Sequence, residues 1–451
     1  MTAFIKNAKA LGTTKLRRDA LAILSAGLSA INTKAAVRRA VSRRGKMLRV
    51  GHATYDLSSF RRVLVIAIGK AAFDAASELE TILGRYVTDG LVLDVKGGAL
   101  KRLTSRVGTH PFPSEANMKA TGEILALLRD AREGDLIVMP ISGGGSALLC
   151  WPNQLTCGEM AMITRTLMKK GATIEEMNTV RKHTSDILGG QAAAVAHRAR
   201  IVGLIFSDVP GDDLPMVASG PTFLDTTTAA DAAQVLAAYD LMRVCKLPSC
   251  DVKETPKDPA LFARVENVLV VSNAVAAEAM RGAGTRRGYA ARVLTTTLGG
   301  EARAEGARLA REPQPGEAVI AAGETVVTVR GGGTGGRNQE LALGALAHVG
   351  DDALVLSCAS DGVDNTPAAG AIADAVTRAA VKAKRLDPAA ALRANDSYPF
   401  FAKAGAQIKT GPLDSNVSDV MLALRLPALP TGRAGGRQDA KPRAARRRTG
   451  K

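Results

Sequence analysis

Residues 136–146 read LIVMPISGGGS, an apolar run that ends in two serines and three consecutive glycines. An apolar run without polar alternation is typical of a strand buried on both faces of a parallel sheet. Similar runs, each followed by a turn rich in Gly, Ser or Asp, occur at 63–68, 201–206, 268–271, 325–329 and 354–358. Because helical patterns separate the runs and both halves of the chain contain them, the sequence predicts an α/β fold with two domains and a cleft between them.

The domain boundaries are predicted from changes in composition along the chain. Residues 251–259 (DVKETPKDP) are polar, dense in charge and contain proline, which indicates a linker. The two domains are therefore expected at 15–255 and 262–425, the second with its core at 320–425. Residues 427–451 lack apolar periodicity and are strongly basic, which predicts a disordered tail.

The formal net charge of +17 is concentrated at the two ends of the chain. Residues 1–62 carry +12 and residues 427–451 carry +7, whereas the remainder carries −2. With 3% aromatic residues, the neutral body offers little surface on which bases could stack, so no specific nucleic-acid binding is expected. The basic C-terminal segment is better interpreted as the disordered tail. The basic N-terminal segment is better interpreted as the solvated face of a helix, which the spacing of apolar residues predicts over 16–46.

The sequence favours a cytoplasmic protein with reduced thiols. No stretch of 18 apolar residues is present, and the N-terminus has no apolar signal region. The basic, acid-poor N-terminus is also compatible with an organellar transit peptide. The five cysteines form no CxxC pair and the five histidines have no zinc-binding spacing, so we expect thiols that pack as small apolar side chains.

A glycine-rich turn follows the predicted strand at 136–141. Glycines allow backbone N–H groups to converge on an anion, and serines add hydroxyl donors. The turn is not a Walker A loop, because no GK[ST] follows the glycines, and a tight strand-to-helix connection is the structural alternative. The candidate anion-binding residues are Ser142, Gly143, Gly144, Gly145 and Ser146.

Two further turns carry charged side chains at predicted strand ends. Gly69-Lys70 places an ammonium there, and phosphoryl transfer needs such a fixed positive charge. Asp208 follows the strand at 201–206, where a carboxylate can hold Mg²⁺ or accept a hydroxyl proton. Asp212 and Asp213 are also placed to cap the next segment.

The segment GGGTGG at 331–336 satisfies GxGxxG, after the predicted strand at 325–329 and before a predicted helix at 338–348. This spacing suggests an NAD(P)-dependent oxidoreductase as a rival function. The acid that such a site needs about 20 residues further on has only Asp361 as a candidate. Arg337 follows the glycines directly, and a guanidinium there fits a transferring phosphoryl group better than a nicotinamide ring.

Together, five segments resemble the glycerate 2-kinase family, whose two-domain members carry a C-terminal MOFRL domain and are in some cases labelled hydroxypyruvate reductase. The resemblance extends over roughly residues 15–425. The segments are GKA at 69–71, SGGGSALL at 142–149, NTVRKHTSDILGG at 178–190, SDVPGDD followed by ASGP within 207–220, and GGRNQELAL at 335–343.

The resemblance implies a Rossmann-like N-terminal domain and an active site between it and the MOFRL domain. It implies transfer of the γ-phosphoryl group of ATP to the 2-hydroxyl of D-glycerate, with Mg²⁺; the chemistry of the residues alone does not decide between the 2- and 3-hydroxyl. The family's essential lysine, essential arginine and acidic strand-end motif match Lys70, Arg337 and Asp208. Lys70 and Arg337 would stabilise the transferred group from opposite domains, and Asp208 would orient the hydroxyl or the metal.

Further residues complete the predicted site. Asp208 and Asp361 are the candidates for metal ligands. The sequence does not determine the oligomeric state, and a homodimer is one possible assembly. The phosphate- or substrate-binding candidates outside residues 142–146 are Gly69, Gly335, Gly336, Asn338 and Glu340.

Two segments depart from the pattern that we expect of the family. At 359–371, Ser360 replaces a threonine and keeps its hydroxyl, while Asn365 and Thr366 are also unusual. At 410–419 the sequence TGPLDSNVSD has Asp414 where glycine is expected. Its added charge near a presumed phosphate site bears on nucleotide affinity or substrate preference more than on the fold.

Overall fold

A computed structural model describes residues 4–209, 211–247 and 250–428, and these residues form two six-stranded sheets and one small three-stranded sheet. The predicted tail at 427–451 lies outside the described residues except for Pro427 and Ala428.

The N-terminal segment forms helices and a small antiparallel sheet. The single helix predicted over 16–46 is wrong, because the chain turns at Asn32 and leaves the helical conformation after Ala40. The Asn32 side chain accepts a hydrogen bond from the Ala35 N–H and so caps the second helical piece. The elements are α1 (Ala8–Leu11), α2 (Lys15–Ile31), α3 (Thr33–Ala40), β1 (Val41–Arg44), β2 (Met47–Val50) and β3 (Ala53–Asp56).

The first large sheet confirms the predicted parallel α/β domain. Its six strands are parallel, in the order β6-β5-β4-β7-β8-β9, and almost every residue of its four central strands is buried. The strands are β4 (Arg62–Ile68), β5 (Asp89–Asp94), β6 (Thr104–Val107), β7 (Asp135–Ser142), β8 (Arg200–Phe206) and β9 (Val265–Val271). The helices are α4 (Ala72–Leu83), α5 (Glu115–Arg129), α6 (Gly145–Leu148), α7 (Cys157–Lys169), α8 (Ile174–His183), α9 (Gln191–Val195), α10 (Ala229–Ala238) and α11 (Leu241–Val244).

The strand order reverses between β4 and β7, as it does in doubly wound dinucleotide-binding folds. The chain runs outward from β4 to β6, returns to β7 beside β4, and continues in the other direction to β9. Ligands of such sheets bind in the crevice that opens where the order reverses, at the carboxyl ends of the strands.

The second large sheet is mixed rather than parallel. Its order is β10-β11-β15-β12-β13-β14, and only β10 and β11 run parallel. An apolar run reports burial on both faces and carries no information on strand direction, which is why the expectation failed for this half. The elements are α12 (Asn273–Thr285), β10 (Ala290–Leu298), α13 (Ala302–Leu309), β11 (Glu317–Gly323), α14 (Arg337–Ala345), β12 (Ala353–Ala359), β13 (Gly370–Asp374), α15 (Ala375–Ala383), α16 (Pro388–Ala394), α17 (Ser397–Ala404), β14 (Gln407–Ile408) and β15 (Asp419–Arg425).

The strand predicted at 325–329 is absent from this sheet. Only Val326 makes an isolated bridge, to Glu301, and Val329 is 73% exposed. The strand of this region is β11, which ends at Gly323 before the predicted segment begins. The β-branched composition of 325–329 therefore predicted a strand in the wrong place, because Val326 and Val329 are exposed and the segment makes no ladder of strand hydrogen bonds.

The division between the two sheets does not coincide with the predicted boundaries. β9 pairs with β8 although it lies in the segment assigned to the second domain, so the first sheet ends at Val271. Helix α2, assigned to the first domain, packs against α12, β12 and β15. A buried ion pair between Arg17 and Asp374 (Nε–Oδ2 2.6 Å) fixes α2 to the second half of the molecule.

Two cysteines contradict the expected free thiols. Cys150 and Cys157 form a disulfide, which joins the segment after α6 to the start of α7. Cys245, Cys250 and Cys358 are free thiols. Among the described residues, no single helix is both long and apolar enough to cross a membrane, although α2 and α3 together, bent by 65°, satisfy the length and composition criteria.

Candidate active site

The turns after β4 and β7 lie side by side where the strand order reverses. The Lys70 N–H donates to the Gly143 carbonyl at 3.0 Å, and the Ala71 N–H donates to Ser142 Oγ at 3.1 Å. Gly69 has φ +108°, and a β-carbon there would lie 2.2 Å from Ser142 Oγ. Gly69 therefore permits the close approach of the two turns, and its part in binding phosphate or substrate stays a prediction.

Asp208 follows β8, the next strand of the sheet, and its carboxyl group lies against Gly143. A β-carbon on Gly143 would be 1.9 Å from Asp208 Oδ2, so only glycine leaves room for this carboxyl group. Burial raises the pKa of Asp208, the positive charge of Lys70 opposes that shift, and the charge of Glu324 adds to it. The predicted residues Lys70, Gly143 and Asp208 are thus brought together.

These residues face a cavity of about 190 Å³ that is lined by loops of both large sheets. Asp361, the second metal-ligand candidate, lines it from the second sheet. Lys96, which the sequence analysis did not single out, follows β5 and adds another cation. The lining residues are Lys70, Ala71, Lys96, Ser142, Gly143, Phe206, Asp208, Val271, Asp361, Leu413, Asp414, Ser415 and Asn416.

Arg337 lines an adjoining, larger cavity of about 930 Å³. Its guanidinium pairs with Asp419 (Nε–Oδ2 2.5 Å) and with Glu324. Burial raises the pKa of the Asp419 carboxyl to about 6, and Arg337 opposes the shift. Two carboxylates therefore orient this guanidinium, which is one-third exposed.

The two cavities share Asp361 and Asn416 in their walls. Ser418 Oγ lies 3.4 Å from the Asp208 carbonyl, so the turn after β8 contacts the loop that leads into β15. Asp419, the first residue of β15, is the residue that pairs with Arg337. The structure thus places Lys70 and Arg337 on opposite large sheets and in neighbouring cavities.

The N–H groups at the start of α14, after the glycine-rich segment at 331–336, are already bound by a carboxylate of the protein. Asp364 already accepts the Asn338 and Gln339 N–H groups at the start of α14, at 3.0 and 2.9 Å. A β-carbon on Gly336 would lie 2.1 Å from the Asp364 carbonyl oxygen, and one on Gly335 would lie 2.1 Å from Ser397 Oγ. The glycines therefore allow close packing against a carboxylate, and that negative charge disfavours a pyrophosphate at this helix start.

Asn338 and Glu340 are also engaged within the second domain. Asn338 Nδ2 donates to Asp364 Oδ1 at 3.1 Å, and Ser357 Oγ donates to Asn338 Oδ1 at 2.5 Å. Glu340 is buried and pairs with Arg303 at 2.5 Å. Both side chains line and stabilise the wall of the larger cavity, and their role in binding phosphate or substrate stays a prediction.

Of the remaining glycine-loop residues, Ser146 lines a third, smaller cavity, and Gly144 and Gly145 pack against neighbouring side chains. A β-carbon on Gly144 would lie 3.1 Å from Lys70 Cε and from His110 Cδ2, and one on Gly145 would lie 2.5 Å from the Ala218 β-carbon. Ser146 Oγ lies 2.8 Å from Ser219 Oγ and lines this cavity together with Arg181. Sequence reasoning missed His110 and did not assign a role to Arg181, although Arg181 lies within the NTVRKH segment that it quoted.

Asp414 and Ser360, two of the departures from the family pattern, both hold loops in place. Asp414 Oδ2 accepts from Asn32 Nδ2 at 2.9 Å, and its carbonyl accepts from Thr33 Oγ1 at 3.0 Å. Ser360 Oγ accepts from the Val417 N–H at 2.8 Å. Burial raises the pKa of Asp414, which faces the 190 Å³ cavity and adds negative charge to it.

The protein supplies only part of the ligand set that a divalent cation needs, and substrate phosphates and water would have to supply the rest. No cluster of three or more His, Cys, Asp or Glu side chains suited to a metal occurs in the part of the chain that the structure describes. Asp208 and Asp361 line the same cavity, and Mg²⁺ commonly binds one or two carboxylates together with water and substrate phosphates. The two carboxylates are therefore compatible with Mg²⁺ that arrives with a nucleotide.

Two family profiles match the chain. Residues 19–251 match DUF4147, described as a domain of unknown function, and residues 317–419 match the MOFRL family. The matched segments contain, respectively, the turns with Lys70 and Asp208 and the helix with Arg337.

Curated relatives align over most of the chain. A glycerate 2-kinase of Pyrococcus horikoshii is 38% identical over 80% of this chain and 87% of its own length. A D-glycerate 2-kinase of Thermotoga maritima is 37% identical over 80% and 90%. A putative hydroxypyruvate reductase of Agrobacterium vitis is 37% identical over 80% and 87%.

Solved structures with the same fold cover almost the whole described chain. A crystal structure of a Pyrococcus horikoshii protein superposes with a TM-score of 0.83 at 35% identity, covering 92% of this chain and 99% of the other. That of a glycerate kinase from Thermotoga maritima superposes with a TM-score of 0.80 at 33% identity, covering 91% and 99%.

Proposed function

The chain belongs to the glycerate kinase family of two-domain phosphotransferases, and from this membership we propose that it transfers the γ-phosphoryl group of ATP to the 2-hydroxyl of D-glycerate. The products would be 2-phosphoglycerate and ADP. The observation that carries the proposal is the position of Lys70, Asp208 and Asp361 around one cavity beside the cavity of Arg337.

Phosphoryl transfer depends mainly on positioning and on stabilisation of charge. The ammonium of Lys70 and the guanidinium of Arg337 would bind the oxygens of the transferred group. Arg337 is pre-oriented by Asp419 and Glu324, which lowers the cost of reorganisation when charge develops.

Asp208 is the proposed base or orienting group for the attacking hydroxyl. Its side chain is partly buried, and the pKa that burial raises makes it a better proton acceptor than an exposed aspartate. When bound, Mg²⁺ would neutralise charge on the phosphates, and Asp208 and Asp361 are the residues that would hold it. Removal of divalent ions with a chelator should abolish turnover, and added Mg²⁺ should restore it.

The rival reductase reading rests on relatives that carry that name. The features that suggested it are weakened, because no strand precedes residues 331–336 and Asp364 occupies the start of α14. A dinucleotide pyrophosphate would have to displace this buried carboxylate.

One coupled assay separates the two reactions. Purified protein with ATP, Mg²⁺ and D-glycerate should release ADP, whereas hydroxypyruvate should not consume NADH or NADPH. NMR of the product should show phosphate on the 2-oxygen. Oxidation of NAD(P)H without ADP release would contradict the kinase proposal, and a 3-phosphate product would contradict its regiochemistry.

We further propose that the enzyme acts in the cytoplasm on small molecules alone, without a specific nucleic-acid partner. Cell fractionation tests the first statement. Light scattering determines whether the homodimer that the sequence leaves open exists.

A further inference from the structure

Arg181 is a partly buried cation to which the described residues offer no carboxylate partner within ion-pair distance. Its polar contact is Nη1 to Asn178 Oδ1 at 3.5 Å, which is a long contact to a neutral amide. Burial lowers the pKa of Arg181, but an arginine remains charged in proteins. A cation removed from water without a counter-ion is unfavourable, and this favours binding of an anion.

The helix that carries Arg181 is held firmly by its neighbours. Lys182 pairs with the buried Asp225 at 3.0 Å, and His183 Nδ1 lies 2.6 Å from the Lys253 carbonyl. Both contacts anchor the C-terminal end of α8. The guanidinium of Arg181 is therefore presented from a fixed backbone while its own donors stay available.

Arg181 faces the small cavity beside the glycine loop. The cavity is about 20 Å³, enough for one water-sized group, so a single carboxylate oxygen could enter it while the rest of a bound acid stays at its mouth. Pro111, Trp151 and Leu188 are among its apolar walls, and Ser146 adds a hydroxyl. Apolar walls lower the local dielectric, which strengthens a charge-assisted bond between a guanidinium and a carboxylate.

The glycine turn connects this cavity with the one that Lys70 lines, because Gly143 lines the Lys70 cavity and Ser146 lines the Arg181 cavity. Burial, and then the charges of Lys70 and Arg181, lower the pKa of His110 to about 4, so both cations lie near this imidazole. Gly144 lies between Lys70 and His110, because a β-carbon there would be 3.1 Å from each side chain. Arg181 and Lys70 thus lie on the two sides of the same glycine turn.

We propose that Arg181, assisted by Ser146, binds the carboxylate of the phosphoryl acceptor and so selects 2-hydroxy acids over neutral alcohols. In a 2-hydroxy acid the hydroxyl is on the carbon next to the carboxylate. An anion held at Arg181 therefore directs this hydroxyl toward Lys70 and Asp208. The inference rests on the proposed function, since it names the acceptor subsite of that reaction.

Arg181→Gln and Arg181→Lys test the proposal in the full-length enzyme. Loss of a charge-assisted bond should raise KM for D-glycerate by about 10- to 100-fold in Arg181→Gln, with KM for ATP within about twofold. Arg181→Lys should lie between this variant and the wild type, because it keeps the charge and loses the fork. The preference for D-glycerate over glycerol, as a ratio of kcat/KM, should fall by a similar factor.

Arg165→Gln is the matched control. Its guanidinium lies 4.2 Å from the centre of the Phe112 ring, near the same cavity but engaged with an aromatic ring. Both KM values should stay within about twofold of wild type. If Arg165→Gln raises KM for D-glycerate as much as Arg181→Gln does, the effect is a general one of surface charge, and the proposal is overturned.

Calorimetry of D-glycerate binding without nucleotide separates this proposal from the proposed function. If wild type binds D-glycerate and Arg181→Gln does not, the carboxylate subsite stands even where no phosphorylation is observed. If Arg181→Gln binds D-glycerate with the affinity of wild type, or if only its KM for ATP rises, the carboxylate-subsite proposal is overturned. If Arg181→Gln does not fold, Arg181→Lys and Ser146→Ala replace it in this test. D-glycerate affinities equal to that of wild type in both of these variants would also overturn the proposal.

Discussion

Lys70 and Arg337 are two cations with different surroundings, and this difference affects how each can be tested. Arg337 is bound by Asp419 and Glu324, so a change there alters both the site and the packing of β15. Lys70 is engaged through its backbone N–H with Gly143, and its ammonium faces the 190 Å³ cavity. Substitution of the Lys70 side chain is therefore the cleaner test of catalysis.

We predict that Lys70→Ala and Arg337→Lys each lower kcat by about 10²- to 10⁵-fold, with smaller effects on KM for D-glycerate. The reason is that both charges would act on the phosphoryl group in the transition state, and lysine lacks the planar fork that holds two carboxylates. Steady-state kinetics measure the effect, with circular dichroism as the check on folding. The double variant should be less than additive, because both residues define one closed geometry.

Arg330→Lys is the control for Arg337→Lys, since Arg330 is exposed in the same glycine-rich loop. It should leave kcat within about twofold of wild type. Near-wild-type turnover in Lys70→Ala would remove that residue from the mechanism.

A second prediction concerns the pH dependence of stability through Asp419. Burial raises its pKa to about 6 in the folded state, above about 3.9 for an unfolded chain. The folded protein then holds the proton more tightly between about pH 4 and 6, so the contribution of Asp419 to the free energy of unfolding falls as pH rises through this window. Relative to Asp419→Asn, wild type should lose stability between pH 4 and 7 in urea denaturation. A constant or increasing difference between the two proteins would contradict the assigned pKa.

The residues that sequence reasoning could identify are those at the ends of strands. Lys70 and Asp208 each follow an apolar run directly, so the strand-end rule for parallel sheets finds them from local sequence. His110 and Arg181 could not be assigned in this way, because loop paths and helix packing bring them to the site. Lys96 comes two residues after the end of β5, so the same rule applies to it, but the run at 89–94 was not recognised as a strand from the sequence.

At the scale of elements, the limits of prediction came from what an apolar run reports. The apolar runs at 136–141 and 354–358 correctly predicted the strands β7 and β12. They did not reveal that β12 runs antiparallel to β15, whereas β7 runs parallel to β8. The run at 325–329 failed for the opposite reason, since its valines lie on an open surface. Helix α2 was found from its periodicity, whereas its position depends on apolar packing against α12 and the second sheet and on a buried ion pair, all with distant parts of the chain.

A third prediction tests that attachment of α2. Arg17 binds Asp374 through Nε and Nη2 and also donates to Thr377 Oγ1 at 2.8 Å. Because removal of one partner leaves a buried charge unpaired, Arg17→Ala should lower the free energy of unfolding by about 3–5 kcal/mol. Arg18→Ala is the matched control, since Arg18 is exposed and donates only to the Gly12 carbonyl at 3.2 Å; it should cost less than about 0.5 kcal/mol. Equal losses in both variants, measured by urea denaturation, would show that the buried pair does not hold α2.

At the scale of the whole molecule, the candidate site forms where the two large sheets meet. The turns after β4, β7 and β8 supply Lys70, the glycine loop and Asp208, and the second sheet supplies Asp361 and Arg337 across the shared wall. The parallel sheet and its site loops could be predicted from sequence, because strand ends in such sheets converge. The way the mixed sheet packs against it could not, since no local pattern encodes it.

The last prediction concerns the basic C-terminus. The final strand, β15, ends at Arg425, and the Gly316 N–H donates to the Leu426 carbonyl at 3.1 Å, so the second sheet is complete before residue 429. Deletion of 429–451 lowers the formal net charge from +17 to +10 without removing any residue of either sheet. We therefore predict that the truncated protein keeps kcat, KM for D-glycerate and Tm close to those of the full chain, while its salt-dependent retention on a cation exchanger decreases.

A control truncation after Val420 removes most of β15 and should abolish folding, because β15 lies between β11 and β12. A loss of activity above about tenfold after deletion of 429–451, with Tm unchanged, would instead place the basic segment at the site, and restoration of activity by adding the deleted peptide would demonstrate it.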